Sequence, residues 1–285
     1  MLYVTEAQVG ELLTPAEAFA AVEDSFRRLA RGAVDNPARV RTELPDGVFA
    51  VMPCVDRELG FAGLKTYAWL PGGTPFLVVL FSIAEARLAA VVEAELLGRL
   101  RTAAASAVAA TRLARPGART LGVFGTGRQA TAHVDALRAA LPSLAEVRVA
   151  GRDAGLAERR AAAACDVVVT ATTAREPVLH GEWLSEGAFV CAVGANDPAR
   201  RELDDAVFER ASFVCCDSRE QSRLESGDLI AAPVDWAAVH ELQDVVAGTL
   251  PGRTDDAAIA VFKSNGLAAW DLAAAARVVE LAGAR

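Results

Sequence analysis

A glycine-rich turn between an apolar run and a helical pattern constrains the fold more than any other feature of this sequence. Residues 120–124 read TLGVF, typical of a buried strand, and residues 125–130 read GTGRQA. In this G-x-G-x-x-A order the first glycine permits a tight turn, the second lets the backbone approach a pyrophosphate, and the small third residue lets helix and strand pack closely. The turn predicts a dinucleotide site, and the alternative is a purely structural turn. The residues predicted to hold the cofactor there are Gly125, Thr126, Gly127, Arg128, Gln129 and Ala130.

Strand-like and helical segments alternate between residues 119 and 216, which is typical of a parallel sheet. Only about a dozen residues separate Asp153 from Asp166, fewer than another strand and helix require. Towards the N-terminus, short β-like runs lie between residues 39 and 83, and a long helical pattern covers residues 93–113. We therefore predict an α/β chain with a shortened Rossmann-type parallel sheet domain and a smaller α+β domain.

The end of the strand after the glycine-rich turn predicts which dinucleotide is bound. An acidic residue at this position usually binds the ribose of NAD, whereas an arginine accommodates the 2′-phosphate of NADP. The strand is followed by Gly151, Arg152 and Asp153. Arg152 favours NADP(H) because its guanidinium fork suits a phosphate. Asp153 leaves NAD(H) open as the alternative.

Composition excludes several functional classes. The formal net charge of −8 argues against a nucleic-acid partner, and the apolar runs are too short to cross a bilayer, which needs about 20 apolar residues. The five cysteines form no C-x-x-C pattern, so we expect reduced thiols in a cytoplasmic protein. The three histidines are scattered, and we expect no metal site.

Motifs along nearly the whole chain resemble the ornithine cyclodeaminase/mu-crystallin family. They read RTAAASA from Arg101, GTGRQA from Gly125, AVGA at 192–195, RELD at 201–204 and VFKSNG at 261–266. The resemblance implies a homodimer that binds a nicotinamide cofactor and a small α-imino or α-amino acid. It also implies a substrate-binding and dimerisation domain at 1–113 with 266–285, and a dinucleotide-binding domain at 114–265.

The same resemblance assigns candidate site residues. Arg39, Lys65 and Arg101 match the family's three basic residues that bind the substrate carboxylate, and Arg41 is a weaker alternative to Arg39. Paired cations suit an α-carboxylate entering a partly dry pocket, although each could instead be a surface cation or part of a structural ion pair. Lys65 is also the candidate for proton transfer. Further cofactor contacts are expected at Thr170, Ala171, Val193, Gly194, Lys263 and Ser264.

Two departures from the family pattern bear on the reaction. Asn196 stands where the cyclodeaminases have an aspartate that acts on the substrate amine, with Asp197 one residue later, and their glutamate falls at or near Ala50. Asn196 and Asp197 remain catalytic candidates after Lys65. We therefore expect an NAD(P)H-dependent reductase of a small imino acid (a ketimine), or the reverse amino-acid dehydrogenase. The alternatives are an ornithine or lysine cyclodeaminase and a non-catalytic NADPH-binding protein.

Overall fold

Two units make up the structure, a computed structural model that describes residues 1–284. The first comprises Met1–Thr102 and the chain from Gly266 onwards, and the second comprises Ala103–Asn265. The division falls inside helix α3, Glu95–Leu113, and the predicted domain boundary lies at the end of the same helix. No helix of residues 1–284 is long and apolar enough to cross a membrane.

The first unit is built around a seven-stranded, mostly antiparallel sheet. Its order is β1-β7-β6-β5-β4-β2, with β3 paired to β4, and only the β1–β7 pair is parallel. Three further helices, α1, α2 and α10, belong to this unit. The elements are β1 (Leu2–Val4), α1 (Glu6–Leu12), α2 (Pro15–Ala30), β2 (Val34–Asp35), β3 (Val40–Leu44), β4 (Gly47–Asp56), β5 (Phe61–Trp69), β6 (Phe76–Ser82), β7 (Arg87–Glu93) and α10 (Ala268–Gly283).

Helix α2 has typical start and stop residues at its two ends. The Thr14 hydroxyl accepts a hydrogen bond from the Glu17 amide, Pro15 occupies the first turn, and Gly32 follows the helix with a φ of +70°. The buried side of α2 packs against α10, where the Phe26 and Trp270 rings lie 5.1 Å apart. Together these two helices form the helical layer over the buried face of the sheet.

The register of the first sheet places Lys65 in its core. Met52, Lys65, Val78 and Val92 lie side by side on strands β4 to β7, and all four are buried. Helix α10 packs on β4, β5 and β6. Because side chains alternate across a strand, Leu64 and Thr66 point to the opposite face, where they are only half-buried. Lys65 is thus the one charged side chain in an apolar row of four.

The second unit is a parallel sheet with the order β13-β12-β14-β11-β10-β8-β9. Strands β10, β11 and β14 are buried along their whole length, as expected for a parallel sheet covered on both faces. The predicted fold class is confirmed. The elements are β8 (Thr120–Phe124), α4 (Arg128–Ala140), β9 (Glu146–Ala150), α5 (Leu156–Ala163), β10 (Val167–Thr170), β11 (Phe189–Ala192), α6 (Asp205–Arg210), β12 (Ala211–Cys216), α7 (Arg219–Glu225), α8 (Gly227–Ala231), β13 (His240–Glu241), α9 (Leu242–Val246) and β14 (Ile259–Lys263).

The predicted shortening lies at one edge of this sheet. Among the strands of residues 1–284, β9 pairs only with β8 and forms the edge, whereas a complete Rossmann order 3-2-1-4-5-6 has another strand outside it. Helix α5 starts six residues after β9 ends, and β10 begins four residues after α5 ends. The chain therefore returns directly to the centre of the sheet.

Candidate functional site

A cavity of about 400 Å³ opens at the carboxyl ends of β8, β9 and β10 in the second unit. In open α/β sheets this is the position at which ligands bind. Five predicted cofactor residues line it: Gly125, Thr126, Gly127, Arg152 and Ala171. The remaining lining residues are Phe124, Ala150, Gly151, Arg159, Thr172, Thr173, Ala174 and Val178.

The two glycines of the turn have the geometry that a pyrophosphate requires. Gly125 has a φ of +121°, and a Cβ there would lie 2.6 Å from the Ala171 carbonyl oxygen, so the turn admits only glycine. A Cβ on Gly127 would meet no atom within 4 Å, and Gly127 caps α4 without a side-chain hydrogen bond. Helix α4 thus begins at the cavity wall with no side-chain cap on its first-turn amides, an arrangement that suits a dinucleotide phosphate.

Two arginines, Arg152 and Arg159, line the cavity beyond the end of β9. Arg152 is exposed and lines the cavity, whereas Asp153 is exposed and is not among its lining residues. Arg159, on α5, donates from Nε to the Ala154 carbonyl at 3.0 Å and from Nη2 to the Arg152 carbonyl at 2.8 Å. These bonds fix the loop that carries Arg152. The cavity wall here is therefore cationic.

Buried Glu202 holds together the loops that follow β10 and β11. Its two oxygens accept hydrogen bonds from the amides of Thr172 and Gly194, both at 2.7 Å, and from the hydroxyls of Thr170 and Thr172. Burial raises the pKa of Glu202, and the charge of Lys263 opposes that rise. Glu202 thus fixes the backbone at two of the loops in which cofactor contacts are predicted.

The other predicted cofactor residues lie outside the cavity wall. Lys263 is fully buried, where Nζ lies 3.6 Å from Asp228 and donates to the carbonyls of Ala192 and Ser264. Ser264 is buried and donates to Asp217. The Thr170 hydroxyl donates a hydrogen bond to Glu202. The remainder, Arg128, Gln129, Ala130, Val193 and Gly194, lie in the turn, at the start of α4 or directly after β11.

In the first unit, two of the three predicted cations converge on one buried carboxylate. Lys65 Nζ and Arg101 Nε donate to the same oxygen, Asp271 Oδ1, at 3.0 Å and 2.9 Å. Lys65 and Arg101 are each 5% exposed, and Asp271 is fully buried. Gly98 makes room for the cluster, since a Cβ there would lie 3.1 Å from Lys65 Nζ. Two cations against one carboxylate leave a net positive charge in a dry environment, which an anion would balance.

The electrostatics of the cluster act mainly on Lys65. The pKa of Lys65 is lowered to about 8, first by burial and then by the charge of Arg101. Arg39 lowers this pKa as well, so the third predicted cation acts on the same site, whereas Asp271 raises it. An ammonium with a pKa near neutrality can both donate and accept a proton under physiological conditions.

Arg39 and Arg41 differ in position. Arg39 is half-buried and immediately precedes β3, and Arg41 lies within that strand, paired opposite Ala50. Ala50, at or near the position of the family's glutamate, is fully buried.

Asn196 and Asp197 lie in the loop after β11, and both are half-buried. The Asp197 carboxylate accepts from the Ala199 amide at 2.8 Å and its carbonyl from the Arg200 amide, which hold the loop in a tight turn. The Asn196 amide donates to the Gly194 carbonyl at 3.2 Å.

Sequence reasoning missed Arg159, Glu202 and Asp271. A signal for Asp271 was present, because it is the one charged residue in the apolar, alanine-rich stretch 267–276. Glu202 and Arg159 carry no comparable signal, since both lie in segments rich in other charges.

Comparison with known proteins identifies relatives over the whole chain. The sequence model of the ornithine cyclodeaminase/mu-crystallin family matches residues 1–162 and 153–284. An alanine dehydrogenase of Archaeoglobus fulgidus is 32% identical over 98% of this chain and 94% of its own. Ketimine reductase mu-crystallin of Mus musculus is 33% identical over 94% of this chain and 91% of its own. The first alignment extends over 307 positions although this chain has 285 residues, so it contains gaps in this chain.

Solved structures agree in fold over the full length of the chain. A probable ornithine cyclodeaminase from Bordetella pertussis Tohama I superposes with a TM-score of 0.93 at 35% identity, covering 100% of this chain and 97% of that one. An archaeal alanine dehydrogenase dimer with bound NAD superposes with a TM-score of 0.93 at 32% identity, covering 100% of this chain and 96% of that one. A Thermococcus litoralis Δ1-pyrroline-2-carboxylate reductase, solved with NADH and L-proline, superposes with a TM-score of 0.88 at 27% identity, covering 100% of this chain and 98% of that one. The chain belongs to the ornithine cyclodeaminase/mu-crystallin family.

Proposed function

We propose that this chain is an NAD(P)H-dependent reductase of a small α-imino acid, and that it also catalyses the reverse oxidation of the matching amino acid. The observation that carries the proposal is the buried cluster of Lys65 and Arg101 on Asp271. A protein that only stored a dinucleotide would have no use for such an anion site. Relatives named as an alanine dehydrogenase and as ketimine reductases act on substrates of this class.

Arg101, Lys65 and Arg39 bind the substrate carboxylate in this proposal. The Arg101–Asp271 bond uses Nε, so the terminal nitrogens of the guanidinium lie outside it. A guanidinium edge with two nitrogens suits a bidentate carboxylate. Fixing the carboxylate also fixes the α-carbon attached to it, and positioning of this kind lowers a barrier by about 7–11 kcal/mol when the geometry is right.

Lys65 supplies the proton to the imine nitrogen. With a pKa of about 8, it is mostly protonated near pH 7 and readily gives up that proton. The reduced nicotinamide, when bound, supplies the hydride that the α-carbon accepts. Asp197 and Asn196 are the second candidates for contact with the substrate nitrogen, supported by their place after β11 at the carboxyl end of the parallel sheet.

We further propose that NADP(H) is preferred over NAD(H). Arg152 lies on the cavity wall where an adenosine ribose would lie, and Arg159 holds its loop. The acid that would bind a 2′-hydroxyl, Asp153, is not among the lining residues. The predicted contacts at Val193, Gly194, Lys263 and Ser264 belong to this part of the proposal, as supports of the loops near the nicotinamide.

A homodimer is also proposed, through the outer face of the sheet in the first unit. Phe49, Leu64, Val79 and Phe81 lie on this face and are exposed or half-buried. An apolar sheet face of this extent usually marks an interface. Sedimentation should show a dimer for the wild type and a monomer for Phe81→Glu, whereas the control Leu156→Glu, at an exposed leucine of the second unit, should remain dimeric. A monomeric wild type would refute the assignment.

The roles of the two units and the location of the protein are proposals as well. The domain at 1–113 with 266–285 binds the substrate, and the domain at 114–265 binds the dinucleotide. A cytoplasmic location is supported by the five cysteines, all of which are free and buried.

The decisive experiment is a substrate panel. NADPH and NADH oxidation is followed with Δ1-pyrroline-2-carboxylate, Δ1-piperideine-2-carboxylate and mixtures of pyruvate with amines. We expect turnover with at least one of these, faster with NADPH. Formation of proline from ornithine without added reductant would establish a cyclodeaminase instead, and dinucleotide binding without turnover across the panel would establish a binding protein.

A further inference from the structure

Asp271 is a buried acid to which the mechanism above assigns no role. It lies on α10, and both of its hydrogen bonds to cations use one oxygen, Oδ1. The other oxygen, Oδ2, is buried and has no hydrogen-bond partner among residues 1–284. A carboxylate buried to build a stable core would use both oxygens, because an unsatisfied buried acceptor is costly. The geometry instead brings the two cations to a common point.

Asp271 links strand β5 to helix α3 through its hydrogen bonds to Lys65 and Arg101. Lys65 comes from β5, Arg101 from α3 and Asp271 from α10, and the three side chains meet only through Oδ1. Without the carboxylate, two like charges in a dry site would repel each other and separate. The Arg101 guanidinium also lies 5.7 Å from the Trp270 ring centroid, next to Asp271 in sequence.

We propose that Asp271 is a positioning residue: it holds the Lys65 ammonium and the Arg101 guanidinium together and keeps Lys65 protonated for transfer to the imine nitrogen. This inference rests on the proposed reductase function. In the step itself, Lys65 Nζ–H would give its proton to the substrate nitrogen while the α-carbon would accept the hydride that a reduced nicotinamide supplies, so the C=N bond is reduced to a C–N single bond and the nicotinamide is oxidised. Lys65 is left as a neutral amine and regains its proton from solvent. Asp271 is not consumed in this step.

The groups around Lys65 give the sign of the effect. Met52 and Val78 flank it on the neighbouring strands, and the Phe76 ring centroid lies 5.5 Å from Nζ. The charged groups acting on Lys65 are Arg101 and Arg39, which favour the neutral amine, and Asp271, which favours the ammonium. Removal of the Asp271 charge therefore lowers the pKa of Lys65.

The sequence allows a direct measurement, because Lys65 and Lys263 are its only lysines. Selective 15N-lysine labelling yields two Nζ signals, and Lys65→Met assigns them. In Asp271→Asn the Lys65 signal should titrate about 1–3 pH units lower than in the wild type. The alkaline limb of kcat/KM for imine reduction should move by the same amount. Glu280→Gln, which removes an exposed acid of the same helix, is the control and should change neither.

Each outcome decides a different claim. A wild type that reduces none of the imino acids sinks the proposed function, and the NMR titration then tests the Lys65–Asp271 coupling alone. An active wild type whose Lys65 titration and pH profile are unchanged in Asp271→Asn overturns the positioning role. If Asp271→Asn does not fold, Asp271→Glu decides: the charge is kept but displaced by one methylene. The pH limb should then stay in place while KM for the imino acid rises at least tenfold, and an unchanged KM would contradict the proposal.

Discussion

The substitution Lys65→Met should greatly reduce turnover and, unusually for a core position, stabilise the protein. Methionine is unbranched and about as long as the apolar part of lysine, so it fills the row between Met52 and Val78 without the ammonium. As the proposed proton donor and carboxylate ligand, Lys65 should contribute about 10²–10⁴-fold to turnover.

The gain in stability follows from the pKa of Lys65. Folding lowers this pKa from 10.5 to about 8, and one unit corresponds to 1.36 kcal/mol, so burial of the charge costs about 3 kcal/mol. Between pH 8 and 10.5 the unfolded chain binds more protons than the folded one, and stability therefore rises with pH through this window. Below pH 8 Lys65 is protonated in both states, so the folded chain carries the whole cost of burying its charge. Lys65→Met should thus be more stable than the wild type by up to about 3 kcal/mol near neutral pH, and the difference should vanish near pH 10.5.

Urea denaturation at neutral and at alkaline pH, at one fixed protein concentration, measures this difference. Leu64→Met, a conservative change on the opposite face of the same strand, is the control and should show no pH-dependent difference. A Lys65→Met variant less stable than the wild type at neutral pH by more than about 1 kcal/mol would refute the reasoning, because Lys65 would then contribute net stability.

Three further predictions concern the second unit. Arg152→Gln should weaken NADPH binding about 10- to 100-fold in fluorescence titrations and leave NADH binding nearly unchanged, since a charge-assisted hydrogen bond contributes about 1.5–3 kcal/mol; equal losses for both dinucleotides would contradict the 2′-phosphate contact. Gly125→Ala should lower both thermal stability and NADPH affinity because of the φ of +121° and the contact with Ala171, whereas Gly127→Ala should lower affinity alone. Burial lowers the pKa of His133 from 6.5 to about 4, so the unfolded chain binds more protons in this window and acidification should cost the wild type up to about 3 kcal/mol. In His133→Gln that part of the acid sensitivity should be absent from urea titrations, and an identical pH dependence would show that His133 is not buried as a neutral ring.

The half of the fold that surrounds the glycine-rich turn was predictable because its signals are local. Strand β8, the turn and α4 follow each other without interruption, and β10 is a short apolar run within the predicted alternation of strands and helices. The central strand β14 was missed. The segments between β12 and β14 are helices of only five to seven residues, too short to give a helical period from which the strands between them could be counted.

The sequence identified two residues of the candidate site but not the residue that both of them contact. Lys65 and Arg101 could be named from the motifs around them, and a lysine inside an apolar strand already indicated a special environment. Their shared partner, Asp271, is 206 residues from Lys65 and 170 from Arg101 in the chain. Spacing carries no information at such separations, because only the packing of α10 on the sheet brings these residues together.

The most direct test of the central claim, that Arg101 binds the substrate carboxylate, is a cycle of two enzymes and two substrates. Wild type and Arg101→Met are each assayed for NADPH-dependent reduction of Δ1-pyrroline-2-carboxylate and of 2-methyl-1-pyrroline, which lacks the carboxylate. Arg101→Met alone, or removal of the substrate carboxylate alone, should reduce kcat/KM at least about a hundredfold. The two changes together should reduce it little further, because both remove the same interaction. Losses that simply multiply would show that Arg101 and the carboxylate do not meet.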